Sequence, residues 1–206
     1  VPIPADSVRK APYDGDHAMY VIAKNAAVDM IENYHSLYGI KRFIIRLSRI
    51  YSYDPNPYTF TDGEKVMVSD RYLIYQAMKG KDLEIWGEPD RLLETIHVYD
   101  FLQIIEKSLE ADNDGGIYNA ASGGSTIEER IRGIMDVFNP NPDARIIYRP
   151  EKPSASQFVL DYLKTVNELG YRPEYTWKDY LEYMKNEMEV QRFAKLWGRE
   201  SDYYQF

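Results

Sequence analysis

Between residues 17 and 38 there is neither Gly nor Pro, and Ala23, Ala26 or Ala27, Met30, Ile31, Tyr34 and Leu37 recur three and four positions apart. That spacing lines one face of an α-helix of about six turns. Asp14-Gly-Asp16 ahead of it offers an N-cap, and Gly39 behind it a left-handed stop. Residues 1 to 15 are polar and proline-rich and read as a loop. Residues 41 to 51 are β-branched and aromatic with polar residues at every second or third position, the pattern of a strand. Residues 52 to 63 hold two prolines, Asp54, Asn56 and Gly63 and read as a long loop of the kind that contacts ligands.

Helical spacing returns over residues 65 to 79 and stops at Gly80. Residues 82 to 86 read as a strand, followed by a turn at 87 to 90. A strand over 94 to 98, an amphipathic helix over 99 to 110 and a strand over 116 to 120 come next. Ser125-Thr-Ile-Glu128 reads as a capping box opening a helix to residue 138, which the Asn-Pro-Asn-Pro at 139 to 142 closes. A strand at 144 to 148, a short helix at 161 to 169 and a longer helix opened by Thr176-Trp-Lys-Asp179 complete the series before a charged, aromatic tail to Phe206. No internal repeat or low-complexity segment interrupts it.

Composition narrows what such a chain can be. Its 206 residues are 44% hydrophobic and 28% charged, ordinary for a globular domain and unlike a disordered or coiled-coil chain. The net charge of −8 argues against nucleic acid as a partner, because phosphate backbones attract basic surfaces. With no cysteine, disulfides, thiolate nucleophiles and cysteine zinc sites are excluded, and the cytoplasm is the expected location. No apolar run reaches the ~18 residues of a membrane span, and the first residues lack the order of a signal peptide, so no membrane is expected.

Candidate chemistry is sparse. The three histidines, His17, His35 and His97, have no metal-binding spacing, so no metal is expected, and His97 on its alternating strand reads as a packing residue. No Gly-x-Ser-x-Gly elbow is present. Tyr20-Val-Ile-Ala-Lys24 places a phenol and an ammonium on one helix face, where the cation favours the phenolate. About one Tyr-x-x-x-Lys match is expected by chance in a chain with 19 Tyr, and three occur. Tyr75 with Lys79 is the second; Tyr148 with Lys152 is the third and spans Pro150, so it is not one helix face. Bringing a phenol from about 10 to about 7 takes roughly 4 kcal/mol, more than one surface lysine supplies. A second cation is needed, and an oxidised nicotinamide would provide it. The plain alternative is a solvated helix pair.

The flanks bear on this choice. Tyr20 to Lys24, then Tyr38-Gly-Ile40, then Arg46-Leu-Ser-Arg-Ile-Tyr51 and Asp54-Pro55, resembles the extended short-chain dehydrogenases/reductases, in particular the NAD-dependent epimerase/dehydratase group. That group has Tyr-x-x-x-Lys, Tyr-Gly and Arg-x-x-Asn-x-Tyr-Gly-Pro in this order. The resemblance continues through Met78-Lys-Gly80, Leu83-Glu-Ile-Trp-Gly87, Ile96-His-Val-Tyr-Asp100, Gly116-Ile-Tyr-Asn119 and Leu169-Gly-Tyr-Arg-Pro173, about residues 13 to 190. It implies an α/β fold, the C-terminal part of a Rossmann-type NAD(P)-binding domain plus a small α/β substrate domain, of a kind that forms homodimers. It also implies NAD or NADP as cofactor in the full-length enzyme and a nucleotide-sugar as substrate.

The Gly-x-x-Gly-x-x-Gly turn that holds the dinucleotide pyrophosphate in that family is absent from these 12 glycines. The sequence thus resembles the C-terminal two thirds of a longer enzyme, with residues 1 to 64 a residual Rossmann part, 65 to 190 mainly substrate-binding and 191 to 206 a tail. By resemblance, Tyr20 is the general acid/base, Lys24 binds the ribose, and Ser48 lies on the cofactor side. Arg49, Glu84, Trp86 and Arg91 lie on the substrate side. Four positions depart from the pattern: the family's Asn is Arg49, its Gly is Ser52, its diphosphate-clamping Arg falls at Leu93, with Arg91 as the nearby substitute, and Ala23 replaces the common Ser between Tyr and Lys. The plain alternatives are a buried core aromatic for Trp86 and a surface salt bridge for Arg49. The reading is part of an NAD(P)-dependent epimerase or dehydratase; its rival is a truncated, non-catalytic remnant that self-associates without binding dinucleotide.

Overall fold

A long helix, α1 (Ala18–Tyr38), opens the fold and packs on β1 (Arg42–Leu47), in a computed structural model that describes residues 1–203. Gly39 ends α1 in the left-handed conformation, its N–H bonded to His35 O at 2.9 Å. The expected Asp cap at its start is not made. His17 is the N-cap residue without a side-chain bond, and Asp16 instead accepts the N–H of Asp62 at 3.0 Å.

The single strand expected over 41 to 51 is two. β1 pairs in parallel with β8 (Gly115–Ala120), and β2 (Arg49–Tyr51) pairs in parallel with β7 (Thr95–His97). Ser48 lies at the switch, donating from both its N–H and its hydroxyl to Ala120 O at 3.1 and 3.0 Å. β8 ends at Ala120, so the strand must find a new neighbour there. Between β7 and β8 runs α3 (Val98–Glu110), and β1 with β8 and β2 with β7 each pair in parallel. His97 caps α3 by accepting the Tyr99 N–H at 3.2 Å and is buried, the packing role expected of it.

The expected loop over 52 to 63 contains a hairpin, β3 (Tyr58–Thr61) and β4 (Glu64–Met67). Asp62 and Gly63 form its turn with φ of 52° and 80°, the signature of a two-residue hairpin connection. The following helix, α2 (Ser69–Met78), accordingly starts four residues later than the periodicity suggests. β5 (Leu83–Trp86), β6 (Leu92–Leu93) and β9 (Ser125–Thr126) precede α4 (Ile127–Phe138), with β6 and β9 antiparallel. The capping box of α4 is Thr126 with Glu129, one residue beyond the Ser125/Glu128 pair expected. β10 (Ile146–Arg149) pairs in parallel with β5, and α5 (Leu163–Leu169) and α6 (Trp177–Val190) follow, α6 opened by the expected Thr176/Asp179 box. The tail forms α7 (Ala194–Trp197) and α8 (Glu200–Tyr203), while its last three residues, 204–206, lie outside the described residues.

Two apolar clusters hold these elements. Ile74, Leu83, Ile85, Ile131, Ile134 and Leu181 join α2, β5, α4 and α6, and Ile96, Ile104, Tyr118 and Tyr171 join β7, α3 and β8. The apolar stripe of α1 is in neither. Only Ala18 of that helix is buried, and Met19, Met30, Tyr34, Leu37 and Tyr38 are exposed.

Candidate functional site

Strand alternation decides which side chains of β5 are available. Leu83 and Ile85 point into the core, so Glu84 and Trp86 point the other way. The Trp86 indole donates to Glu84 Oε2 at 2.8 Å, and Arg149, across the parallel pairing on β10, donates to Glu84 Oε1 at 3.0 Å. These two bonds, the indole's first, hold the Glu84 carboxyl below the usual carboxylate range. The Lys152 ammonium lies 5.3 Å from the centre of the Trp86 ring. Trp86 is 52% exposed, so the buried-aromatic alternative does not hold.

Glu84, Trp86 and Arg91 line one cleft of about 630 Å³ together with Ser69, Tyr72 and Gln76 of α2. Arg91 arrives by the turn after β5, and its backbone carbonyl accepts the N–H of Ile127 at the start of α4. Its Nε is buried without a hydrogen bond, and among the described residues Arg91 forms no ion pair. An aromatic wall beside an uncompensated cation suits a ligand with a flat ring and a negative group. Among the described residues no group of three metal-ligating side chains occurs, and no helix is long and apolar enough to cross a membrane.

The other expected site residues are placed apart from this cleft. Tyr20 and Lys24 share the open face of α1, the ammonium 5.5 Å from the phenol ring centre and Tyr20 62% exposed. Neither lines the cleft. Ser48 is buried and turns its hydroxyl to Ala120 O. Arg49 pairs with Asp70 at 3.5 Å; that carboxylate is largely buried at the start of α2, one residue beyond Ser69. An ion pair was the plain alternative for Arg49, but its partner is an inward-turned carboxylate rather than the acidic surface.

Arg149, Lys152 and Arg130 escape a reading of the sequence alone. Arg149 and Lys152 reach Glu84 and Trp86 only through the β5–β10 pairing, which joins residues 63 positions apart and has no local signal. Arg130 is buried on α4, bonded to Thr95 Oγ1 at 2.9 Å, Leu93 O and the Tyr51 hydroxyl, and stacked on Trp177 at 4.4 Å. Burial, and then the nearby charge of Arg49, lower its pKa to about 9.

A family model described as "Epimerase: NAD dependent epimerase/dehydratase family" matches residues 2–121, more than half of the chain. The chain belongs to the NAD-dependent epimerase/dehydratase family. Among its relatives in that family, the dTDP-glucose 4,6-dehydratase of Xanthomonas campestris pv. campestris is 24% identical over 179 residues, covering 81% of this chain and 48% of that protein. UDP-glucose 4-epimerase of Thermotoga maritima, solved with UDP-glucose, is similar in fold with a TM-score of 0.64 at 19% identity, over 91% of this chain and 58% of that one. UDP-glucuronic acid 4-epimerase of Bacillus cereus, solved with NAD, gives a TM-score of 0.62 at 18% identity over 91% and 56%. The chain spans about half the length of the curated family members it matches. Its fold is that of these Rossmann-type family members.

Proposed function

We propose that this chain carries the substrate side and the Tyr-x-x-x-Lys helix of an NAD(P)-dependent epimerase or dehydratase acting on a nucleotide-sugar. The observation that carries the reading is the convergence of Trp86, Glu84 and Arg91 on one cleft in which the arginine forms no ion pair among the described residues. The nucleotide would lie along Trp86 and Tyr72 with its diphosphate toward Arg91, so that residues 65 to 190 hold most of the substrate. Tyr20 acts as general acid/base on a sugar hydroxyl, and Lys24 holds the ribose and favours the phenolate.

Tyr20 and Lys24 fit the ribose and nicotinamide end of NAD(P), standing side by side on a face open to ligand. The glycine fingerprint that holds the pyrophosphate end in the family pattern does not occur in the 206 residues. When bound, the dinucleotide accepts a hydride from the substrate and returns it.

Binding of UDP-glucose to the 206-residue chain, followed by calorimetry, tests the substrate side. Trp86→Ala is expected to weaken binding by about 1–3 kcal/mol through lost stacking, and Arg91→Ala by about 1.5–3 kcal/mol through a lost charged contact. Trp197→Ala, in the tail helix, serves as the unaffected control. Failure of both UDP-glucose and dTDP-glucose to bind at millimolar concentration overturns the reading.

One observation favours a second reading, a non-catalytic chain that self-associates and binds no dinucleotide: the exposed stripe of Met30, Tyr34, Leu37 and Tyr38 on α1. Exposed apolar surface of this extent favours association, here as a homodimer with α1 against its counterpart. Light scattering at micromolar concentration is expected to give at least twice the monomer mass of 24.1 kDa, and Met30→Glu with Leu37→Glu to return it to the monomer. A monomeric mass for the unmodified chain removes the homodimer. Association and catalysis are compatible, and the dinucleotide experiment below separates the two readings.

A further inference from the structure

The two chain segments that meet at Trp86 part beyond it and then meet again. β5 and β10 pair in parallel up to Trp86 with Arg149, and Leu93 with Phe158 forms a second parallel bridge. Between these points the chain makes seven steps on one side and nine on the other. Residues 150–157 are thus two residues longer than the turn they face, which is about 7 Å of extended chain. Both ends are fastened: Gly87 and Lys152 donate to Arg149 O at 3.0 and 3.1 Å, and Glu94 donates to Phe158 O at 3.1 Å. Between the fastenings, residues 150–157 are all exposed.

This segment borders the cleft. Pro153 and Ala155 line it together with Trp86 and Arg91, and the Lys152 ammonium, which forms no ion pair among the described residues, stands over the Trp86 ring. One notch seats it. A Cβ added at Gly87 would lie 2.3 Å from Ser154 Cβ and 2.9 Å from its Cα, closer than non-bonded carbon atoms stand, so the segment touches the 87–90 turn there because residue 87 has no side chain. Pro150 and Pro153 fix two of its φ angles and stiffen it between its ends.

A stiff segment with slack, fastened at both ends, exposed along its length and seated at one notch has the build of a lid that swings about its ends. We propose that residues 150–157 are a strap that closes over the occupant of the cleft, seated on Gly87 and carrying Lys152 to the occupant's negative group. This rests on the nucleotide-sugar reading above and adds a moving part to it.

The chain has no cysteine, so a single Ala155→Cys reports on the strap alone. With UDP binding established by calorimetry, alkylation of that thiol by iodoacetamide is expected to slow about 10-fold at saturating UDP. Gly87→Ala in the same background should remove most of the protection, and adding Ser154→Gly, which takes away the nearest clash, should return part of it; a turn strained only by its φ of +68° at residue 87 gives no such rescue. Lys152→Met is expected to weaken UDP about 10-fold and to leave uridine, which has no phosphate, unchanged. Circular dichroism checks that each variant is folded. Protection that survives Gly87→Ala would come from the bulk of the ligand itself and overturns the strap. If UDP does not bind, the nucleotide-sugar reading fails and this proposal with it, whereas UDP binding that leaves the alkylation rate unchanged defeats the strap alone.

Discussion

Tyr20→Phe is expected to lower turnover by about 10²- to 10⁴-fold while the dinucleotide stays bound, when these residues are joined in one chain to a dinucleotide-binding domain. The substitution removes one O–H and leaves the ring, so only proton transfer is lost. Lys24→Ala in the same protein should lower turnover and weaken NAD binding together, because the ammonium serves both the phenol and the ribose. The 206 residues by themselves are expected to bind NAD or NADP no tighter than millimolar and to show no turnover, since the pyrophosphate-binding turn is not among them. Full activity in Tyr20→Phe would remove the catalytic assignment. Micromolar NAD binding by the 206-residue chain would show that the missing fingerprint has been replaced by contacts elsewhere, and would sink the non-dinucleotide reading with it.

The largest expected loss of stability belongs to Gly115→Ala. Gly115 starts β8 directly opposite Arg42, with φ of +83°, and an added Cβ would lie 1.8 Å from the Arg42 carbonyl oxygen. Backbone cannot give way as a side-chain tip can, so β8 would have to leave β1 at its first pair. Strain at such a φ costs about 1–3 kcal/mol and overpacking about 1–3 kcal/mol more, a large share of the roughly 5–15 kcal/mol that holds a domain folded. Gly39→Ala is the matched control: its φ is +67°, but a Cβ there meets nothing within 4 Å, so only the left-handed cost of about 1–2 kcal/mol applies. Urea unfolding of both variants reads the difference. Equal losses would mean that the β1–β8 register places no backbone against Gly115.

The exposed face of α1 makes Tyr20 and Lys24 an unusual pair to weigh. In isolation they match the solvated pair that chance alone would supply, and the geometry between them, 5.5 Å from ammonium to ring centre, is common on helices. The catalytic role proposed for the pair rests on the family resemblance, and a second cation is still needed before the phenol can act as a base near neutral pH. The cleft of Glu84, Trp86 and Arg91 differs in kind. There the arrangement itself, an exposed indole fixed by a carboxylate beside a cation that forms no ion pair among the described residues, is what the substrate-side proposal rests on.

Local features were legible in the residues because they depend on near neighbours. The periodicity of α1, its Gly39 stop, the Thr176/Asp179 box and the outward placement of Glu84 and Trp86 on an alternating strand all follow from spacing within a few positions. The ordered motif blocks carried the family in the same way. The Asp62-Gly63 hairpin was also local, and two prolines nearby concealed it as loop. Other features had no local sign. The break at Ser48 exists because β8 ends at Ala120 and the strand must change partners, a fact held by residues 72 positions away. The approach of Arg149 and Lys152 to Glu84 and Trp86 follows from a parallel pairing of β5 with β10, which needs a crossover and so cannot be read from either strand. Burial of Arg130 among Tyr51, Thr95 and Trp177 comes from packing α4 against the β2–β7 pair. Spacing along the chain fixes which face a side chain takes on its own element, whereas the charge that surrounds it is set by elements that only the folded chain brings together.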